Sequence, residues 1–298
     1  MGPLLFAGLG ARLSLRVAAV ICAVAVSASA ASAQSLVPSD SRLKSIIAKK
    51  VIRVAYRADD RPFSFVNDAK EPLGYTIDLC KQVTASIAEQ FKVPELKIEW
   101  VPVTVETRFS AVAGNKADLE CGSSTVTLAR MKEVDFSILT FVESTGILVS
   151  RTSNIHGLAD LGGKKIALVS GTSNERAVSN IVTQLSILVT LLPVKDRDEG
   201  VAALESGKVD AFASDKLLLA GAKFKDEDAF AILPDDLSIE QYAIVVPRGD
   251  WALRLAVNTG LARIFRGGRT KELFERWFFG ARPGLLLEAV YALGRIAD

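Results

Sequence analysis

Two stretches of the sequence, AVAGNKADLECGS at residues 111–123 and ALESGKVDAFASD at residues 203–215, share one layout. Each ends a helical pattern at a glycine, offers a lysine with an aspartate two residues after it, and then enters an apolar strand. The two stretches lie at equivalent points of two successive runs of strands and helices. This predicts two similarly built α/β lobes, each with a sheet flanked by helices.

The wider pattern supports two such runs. In both, short apolar segments alternate with amphipathic helical segments, which favours parallel sheets. The strands of the first run are VIRVAY, LKIEWVPV and ADLEC, and those of the second are KKIALV, ILVTLLPV and VDAFASD. Two extended segments, FVESTGILVSR and LSIEQYAIVVPRGD, connect the runs. We therefore expect one lobe at residues 34–143 and 242–298, and the other at residues 144–241.

Residues 1–33 predict a secretory signal peptide. Arg12 and Arg16 precede an apolar core that is too short to span a membrane, and small residues lead to a cleavage site after Ala33. Removing these two arginines from the 36 basic residues leaves 34, against 34 acidic residues. The expected mature protein is soluble, exported and near neutral, and nothing in its charge indicates a nucleic-acid surface.

The cysteines and histidine narrow the chemistry. Cys22 lies in the signal peptide, so Cys80 and Cys121 form an even pair in an oxidising compartment, where we expect a disulfide. Two buried thiols are the alternative. His156 is the only histidine, which argues against a His-based triad, and no Cys/His cluster is present to hold zinc. We expect no metal and no cofactor.

Several of these segments together resemble a known family. VIRVAYRADDRPFSF, EPLGYTIDLC, ADLECGSSTVTLARMKEVDFS, LVSGTSNE and GKVDAFASDKLLLAG follow one another as in the extracytoplasmic solute-binding proteins of polar amino acid ABC transporters, and most of all as in the glutamate/aspartate-binding proteins. The resemblance implies the type II periplasmic binding protein fold, in which two α/β lobes are joined by two hinge strands with a ligand cleft between them. It also implies a monomer that binds an amino acid in the periplasm and hands it unchanged to an ABC transporter permease.

An amino acid ligand brings a carboxylate and an ammonium that both lose water in such a cleft, so each needs a partner of opposite charge. The resemblance places Arg130, Ser123 and Thr125 at the α-carboxylate. An arginine suits a carboxylate because its planar fork donates two parallel hydrogen bonds. The alternative for Arg130 is a cap of a short helix at the surface.

The second lobe is expected to complete the site. Thr172 and Ser173 stand in SGTSNE at a helix N-terminus, where backbone amides bind anions, although an ordinary N-cap would use the same residues. The resemblance pairs Asp215 with the ligand's ammonium, and a plain N-cap is again the alternative. Arg57 and Arg108 fall on family positions that contact the distal carboxylate.

Two positions depart from the glutamate/aspartate group. Val105 stands where that group has a serine, and Arg197 stands where it has a histidine. With Arg57, Arg108 and Arg130, the cleft would keep an excess of two positive charges after counting Asp215 and a bound glutamate. We expect this excess to be offset by Glu106, Glu120, Asp196 or Asp198, or Arg197 to point to solvent.

Three other functions stay open at this stage. The same fold resembles the exported cyclohexadienyl dehydratases, for which Glu120 is the one conspicuous acid–base candidate, although four arginines should keep it ionised. A binding protein for glutamine or asparagine is the second, and a sensor domain fused to an effector is the third. The apolar tail at residues 285–296 is expected to form a helix packed on its own lobe, with a dimer or permease contact as the alternative.

Overall fold

The structure is a computed structural model that describes residues 37–222, 224–278 and 282–297, so the predicted signal peptide lies outside the described residues. The strands are β1 Val51–Arg57, β2 Asp59–Asp60, β3 Ser64–Val66, β4 Pro72–Leu73, β5 Lys97–Val103, β6 Leu119–Glu120, β7 Val134–Glu143, β8 Thr145–Ser150, β9 Lys165–Val169, β10 Thr190–Val194, β11 Ala211–Asp215, β12 Phe230–Ile232 and β13 Glu240–Pro247. The helices are α1 Arg42–Lys49, α2 Tyr75–Gln90, α3 Arg108–Ala113, α4 Ser173–Gln184, α5 Arg197–Glu205, α6 Lys216–Ala220, α7 Trp251–Arg266, α8 Arg269–Trp277 and α9 Leu285–Leu293.

The strands form two five-stranded sheets, one in each lobe. Their orders are β5-β1-β6-β13-β7 and β10-β9-β11-β8-β12, so each strand of one lobe has a counterpart in the other. The first three strands of each sheet are parallel, whereas β13 and β8 run antiparallel to both of their neighbours. The sequence pattern predicted fully parallel sheets, but both sheets are mixed. The reason is that β8 and β13, the strands that follow a crossing between the lobes, run opposite to their neighbours.

The repeated sequence layout corresponds to a repeated contact. After α3, the Asp118 carboxylate accepts a hydrogen bond of 2.8 Å from the backbone N–H of Arg53 at the start of β1. After α5, the Asp210 carboxylate accepts one of 2.7 Å from the N–H of Lys165 at the start of β9. In both lobes an aspartate thus fixes the helix-to-strand turn against the neighbouring parallel strand, which explains the shared lysine–aspartate spacing.

The chain crosses between the lobes twice. It leaves the first sheet with β7, which ends at Glu143, and enters the second with β8, which begins at Thr145. It returns with β13, whose first residue is Glu240. The two crossings lie side by side, because Glu240 pairs with Glu143 in the register of β13 and β7. This arrangement of two adjacent connecting strands suits a hinge.

The first lobe has an aromatic core with a disulfide at its edge. Phe63, Tyr75, Phe141 and Tyr242 are buried and in mutual contact beneath α2, α7 and α8. The predicted disulfide is present: it joins Cys80 in α2 to Cys121, directly after β6. It therefore anchors the loop that follows β6 to the core of the lobe.

The tail forms the predicted helix, α9, and packs on its own lobe through part of its apolar surface. Leu287 and Tyr291 are buried, and the Tyr291 hydroxyl lies 2.8 Å from that of Tyr75 in the core. Leu285 and Leu293 remain 87% and 82% exposed, so the leucine-rich stripe faces away from the lobe. Tyr291 and Leu287 anchor the tail in the core, and Arg266 donates a hydrogen bond to the carbonyl oxygen of Ile296.

Among the described residues, none of the helices combines the length and the apolar character that a membrane crossing requires.

Candidate functional site

The two lobes meet around a small cavity of about 10 Å³, roughly the room for one water molecule. Its wall is polar. The lining residues are Arg57, Arg108, Glu120, Ser123, Ser124, Thr125, Thr172, Ser173, Asn174, Arg197 and Asp215. Eight of the nine predicted binding residues are in this wall, and the ninth, Arg130, is buried beside it. The structure therefore brings together the residues that the sequence singled out from both lobes.

Arg108 and Arg130 share one aromatic ring. Their guanidinium carbons lie 4.6 and 4.9 Å from the ring centroid of Phe109, within the range of cation–π contacts. Arg130 also donates from Nη1 to the carbonyl oxygen of Thr125 over 2.7 Å. Arg130 opens a short 3₁₀ turn, but it is buried and not the surface cap that the alternative required.

These two guanidinium groups have no carboxylate partner among the described residues, and Arg108 Nε and Arg130 Nη2 are buried without a hydrogen bond. Burial and the charges of Arg130 and Arg57 lower the pKa of Arg108 to about 9. Burial and the charge of Arg176 lower the pKa of Arg130 to about 10. Both groups remain cationic at neutral pH, so this corner of the cleft is suited to an anion.

Arg57 is in a different situation. It ends β1, and it donates from Nε and Nη2 to the two carboxylate oxygens of Asp59 over 2.8 and 2.5 Å. Burial opposes its charge, but Asp60 and Asp59 keep the pKa of Arg57 above its usual value. Its charge is therefore already balanced within the first lobe.

Thr125 and Ser173 touch across the cleft. Ser173 Oγ donates to Thr125 Oγ1 over 3.1 Å, and Thr125 Oγ1 donates to the buried carboxylate of Glu240 over 2.7 Å. Glu240 also accepts hydrogen bonds from Ser238 and from Thr145, where the chain crosses between the lobes. A continuous chain of hydrogen bonds thus runs from the cleft to both connecting segments.

Thr172 and Asp215 both occupy N-cap positions, as the alternatives proposed, but only one of them caps with its side chain. Thr172 Oγ1 accepts from Glu175 N–H and donates to the Val169 carbonyl oxygen, so its hydroxyl is fully engaged. The Asp215 side chain makes no capping hydrogen bond, and its buried Oδ1 has no partner among the described residues. Burial raises the pKa of Asp215 to about 6, against the opposing effect of Arg197.

Of the four acids expected to offset the positive charge, only Glu120 lies in the cavity wall. Glu106 and Asp198 are exposed, Asp196 caps α5, and Arg197 points into the cleft and not to solvent. The acids that lie near the four arginines are Asp59, Asp60, Glu120 and Asp215. Four arginines thus lie near four carboxyl groups, and burial raises the pKa of two of these, Glu120 and Asp215.

Sequence reasoning missed three carboxylates of the site. Asp59 and Asp60 lie just after Arg57 and Ala58, at the carboxyl end of a predicted strand, which is where open α/β sheets place ligand groups. That position was a usable signal. Glu240 carried a weaker one, because only its place in a connecting segment distinguished it from other acids.

Val105 does not face the cavity. It is 6% exposed and belongs to a buried cluster whose other members, including Val169 and Val194, come from the second lobe. The valine at this position, where the resembling group has a serine, therefore makes an apolar contact between the lobes.

Two α/β lobes around a closed polar cavity define the class of bacterial solute-binding proteins. The family model for bacterial extracellular solute-binding proteins, family 3, matches residues 52–280, so the chain belongs to that family. It is 32% identical over 239 residues to an L-glutamate/L-aspartate-binding protein of Pseudomonas aeruginosa, a match that covers 79% of each chain. It is 29% identical over 269 residues to a glutamate/aspartate import solute-binding protein of Escherichia coli K12, covering 89% of each.

A solved structure with a similar fold is that of an ancestral amino acid-binding protein described as a precursor of cyclohexadienyl dehydratase. Its TM-score is 0.69 and its sequence identity is 26%, over 80% of this chain and 99% of the other.

Proposed function

We propose that the protein binds an acidic amino acid, glutamate or aspartate, in the periplasm and delivers it to the permease of an ABC transporter. The observation that carries this proposal is the set of buried charges that end at the cavity without a protein partner. Arg108 and Arg130 supply unpaired cationic donors, and Asp215 supplies an unpaired acceptor. An amino acid with two carboxylates and one ammonium satisfies all three once the lobes separate enough to admit it, because the cavity in this arrangement has room for about one water molecule.

The role that we propose for each residue follows from its position in the cleft. Arg130 would hold the α-carboxylate, and the backbone amides at the N-terminus of α4, near Thr172 and Ser173, would approach it from the second lobe. Ser123 and Thr125 would reach the ligand only by exchanging hydrogen bonds, because their hydroxyls donate to Asp60 and Glu240 in this structure. Asp215 would pair with the α-ammonium. Because Arg57 is already paired with Asp59, the distal carboxylate would be left mainly to Arg108.

We assign the preference for an acidic ligand over its amide to the positions of the charges in the cleft and not to its net charge. It comes from the number of cations that lack a carboxylate: two such groups, Arg108 and Arg130, match two ligand carboxylates. Glutamine or asparagine would leave one buried guanidinium without an anion, which is costly. Both relatives named above are described as binding glutamate and aspartate, which supports the same choice.

Binding would follow an opening and closing of the lobes. The first lobe presents Arg108, Arg130, Ser123 and Thr125, and rotation about the connecting strands at Ser144 and near Glu240 would bring in the second lobe. Ligand would shift the population toward the closed form, which the permease would recognise. In this account the lobes are residues 34–143 with 242–298 and residues 144–241, and the protein acts as a monomer.

Titration calorimetry tests the proposal directly. L-Glutamate and L-aspartate should bind, and L-glutamine and L-asparagine should bind at least about tenfold more weakly because they lack the second carboxylate. L-Lysine should give no signal. Absence of both heat and a shift in unfolding temperature with either acid at millimolar concentration would contradict the assignment.

A dehydratase is the second candidate, because Glu120 differs from expectation. The four arginines were expected to keep it ionised, but it is completely buried, and burial raises its pKa despite Arg108. Both of its oxygens lack a partner among the described residues. Binding remains favoured because both curated relatives are binding proteins. Incubation with arogenate or prephenate separates the two: product that disappears in Glu120→Gln would establish the enzyme.

A further inference from the structure

Arg197 reaches from the second lobe into the first. Its Nη1 lies 2.9 Å from Asp60 Oδ1 and 3.9 Å from Asp59 Oδ2. Contacts with its own lobe are longer, because Nη2 lies 3.9 Å from Asp215 Oδ2 and Nε donates to Ser214 Oγ over 3.4 Å. The nearest ionic partner of Arg197 therefore lies across the cleft.

Asp60 is held in place by the first lobe. It is completely buried, its Oδ2 accepts a hydrogen bond of 2.8 Å from the N–H of Ser123, and its Oδ1 accepts one of 2.9 Å from the Ser123 hydroxyl. The loop passes so close that a Cβ on Gly122 would come within 2.5 Å of Glu120 Oε1 and 3.4 Å of Asp60 Oδ2. The Asp60 carboxylate is therefore held in a fixed position by the first lobe, and the guanidinium of Arg197 contacts it from the second lobe.

Further contacts between the lobes accompany this ion pair. Val105 packs into the apolar cluster of the second lobe, and Ser173 donates to Thr125. Apolar burial, a hydrogen bond and an ion pair thus stabilise the same closed arrangement through protein atoms alone.

We propose that Arg197 and Asp60 form a latch between the lobes, and that Arg197 acts through this latch and not by contacting the ligand's second carboxylate. The latch proposal depends on the proposed function in one respect: closure of the lobes is what captures the ligand. Asp60 neutralises Arg197, and this leaves Arg108 as the cation that selects an acidic side chain.

The latch has a consequence for affinity. If only the closed form binds ligand tightly, the apparent affinity equals the affinity of the closed form multiplied by the fraction of molecules that are closed. By stabilising the closed form, the latch raises affinity by the same factor for every ligand that fits. Its loss should therefore weaken binding without changing the preference among ligands.

The first measurement is the conformation without ligand. Spin labels on Glu106→Cys and Lys195→Cys, two exposed positions on opposite lobes near the cleft, report the distance between the lobes. The latch predicts a mainly short distance in the unliganded protein and a longer one in Arg197→Gln and in Asp60→Asn. The double variant should open no further than either single variant. Asp118→Asn, which weakens an ion pair inside the first lobe, should leave the distance unchanged.

The second measurement is calorimetry on the same variants. Each should lose about tenfold in affinity, equally for L-glutamate and L-glutamine. If Arg197 instead contacts the distal carboxylate, its loss will fall on L-glutamate alone and the unliganded distance will not change, which would overturn the latch. If no amino acid binds the unaltered protein, the proposed function fails, but the distances still decide whether the latch exists.

Discussion

The two lobes share one frame but place different chemistry at the cleft. Both have the same strand order, and in both an aspartate, Asp118 or Asp210, fixes the turn from helix to strand. The loops that face the cavity differ. The first lobe carries Arg108 and Arg130 on a shared phenylalanine, and the second carries Asp215 and Arg197. The repeated elements therefore specify the scaffold, and the loops at the strand ends specify the ligand.

The lobes also differ in how firmly their loops are held. In the first lobe, the disulfide at Cys121 immediately precedes Gly122 and the candidate binding residue Ser123. Residues 144–241, which we assign to the second lobe, contain no cysteine. We therefore expect the first lobe to act as a preorganised half-site for the carboxylates and the second lobe to complete it on closing.

The largest expected effect comes from removing a first-lobe cation. Arg130→Gln should weaken L-glutamate binding on the order of 1,000-fold, or about 4 kcal/mol, because a buried carboxylate loses its charged partner. Ser173→Ala in the second lobe should cost about tenfold at most, since it removes one neutral hydrogen bond. Calorimetry measures both, with Arg53→Gln as the control because Arg53 pairs with Asp118 away from the cleft. Equal losses of affinity in the Arg130 and Ser173 variants would contradict the proposal that the first lobe holds the carboxylates and the second lobe only completes the site.

Next in size is the disulfide of the first lobe. Closing a loop between residues 41 apart should contribute about 3 kcal/mol to the free energy of unfolding. The paired variant Cys80→Ala, Cys121→Ala should lose that amount in denaturant unfolding, and reductant should destabilise the unaltered protein but not the variant. An unchanged midpoint in reductant would show that this covalent link does not support the lobe.

The second lobe's carboxylate predicts a pH dependence. The pKa of Asp215 is about 6 in the folded protein without ligand, above its usual 3.8, so lowering the pH through 6 protonates the group that we propose to pair with the ammonium. Affinity for L-glutamate should therefore be constant above pH 7 and about tenfold weaker at pH 5. Arg108 and Arg130 stay charged throughout, since their pKa values are about 9 and 10.

The raised pKa of Asp215 makes folding stability change with pH in the opposite direction from ligand affinity. Between pH 3.8 and 6 the folded, ligand-free protein retains a proton that the unfolded chain has lost, so the contribution of Asp215 to stability falls as pH rises through this window. Asp215→Asn should remove this contribution, and its weak binding of L-glutamate should no longer vary between pH 5 and 7. Binding that strengthens on acidification of the unaltered protein would contradict the assignment of Asp215.

The smallest effects concern the shared frame. Asp118→Asn should cost about 1 to 2 kcal/mol of unfolding free energy, because Asp118 is buried and also pairs with Arg53. Asp210→Asn should cost less than about 0.5 kcal/mol, because Asp210 is exposed and the amide oxygen can still accept from Lys165. Denaturant unfolding at constant pH compares the pair. Neither variant should change L-glutamate affinity, and a larger loss for Asp210 would argue against equivalence of the two turns.

Much of the scaffold could be predicted because it depends on local patterns. The strand and helix order, the crossings between the lobes and the equivalence of residues 111–123 and 203–215 all follow from periodicity and turn residues. The direction of the strands was less predictable: β13 and β8 are antiparallel because of where the chain re-enters each sheet, which no local pattern records.

The binding residues could be gathered from the sequence, but their pairing could not. Arg57, Arg108, Arg130 and Arg197 were all expected to serve the ligand, whereas Asp59 and Asp60 engage two of them. Whether an arginine is balanced depends on which carboxylate lies within 3 or 4 Å in the folded chain, and Asp60 meets Arg197 only across the cleft. The tail shows the same limit, since Tyr291, and not the leucine stripe, attaches it through Tyr75.

A crystal structure of the protein grown with L-glutamate would show which side chains hold each charged group of the ligand. We expect the α-carboxylate at Arg130, the ammonium at Asp215 and the distal carboxylate at Arg108, with Arg197 still on Asp60. A ligand whose ammonium lies away from Asp215, or whose distal carboxylate draws Arg197 from Asp60, would contradict this assignment.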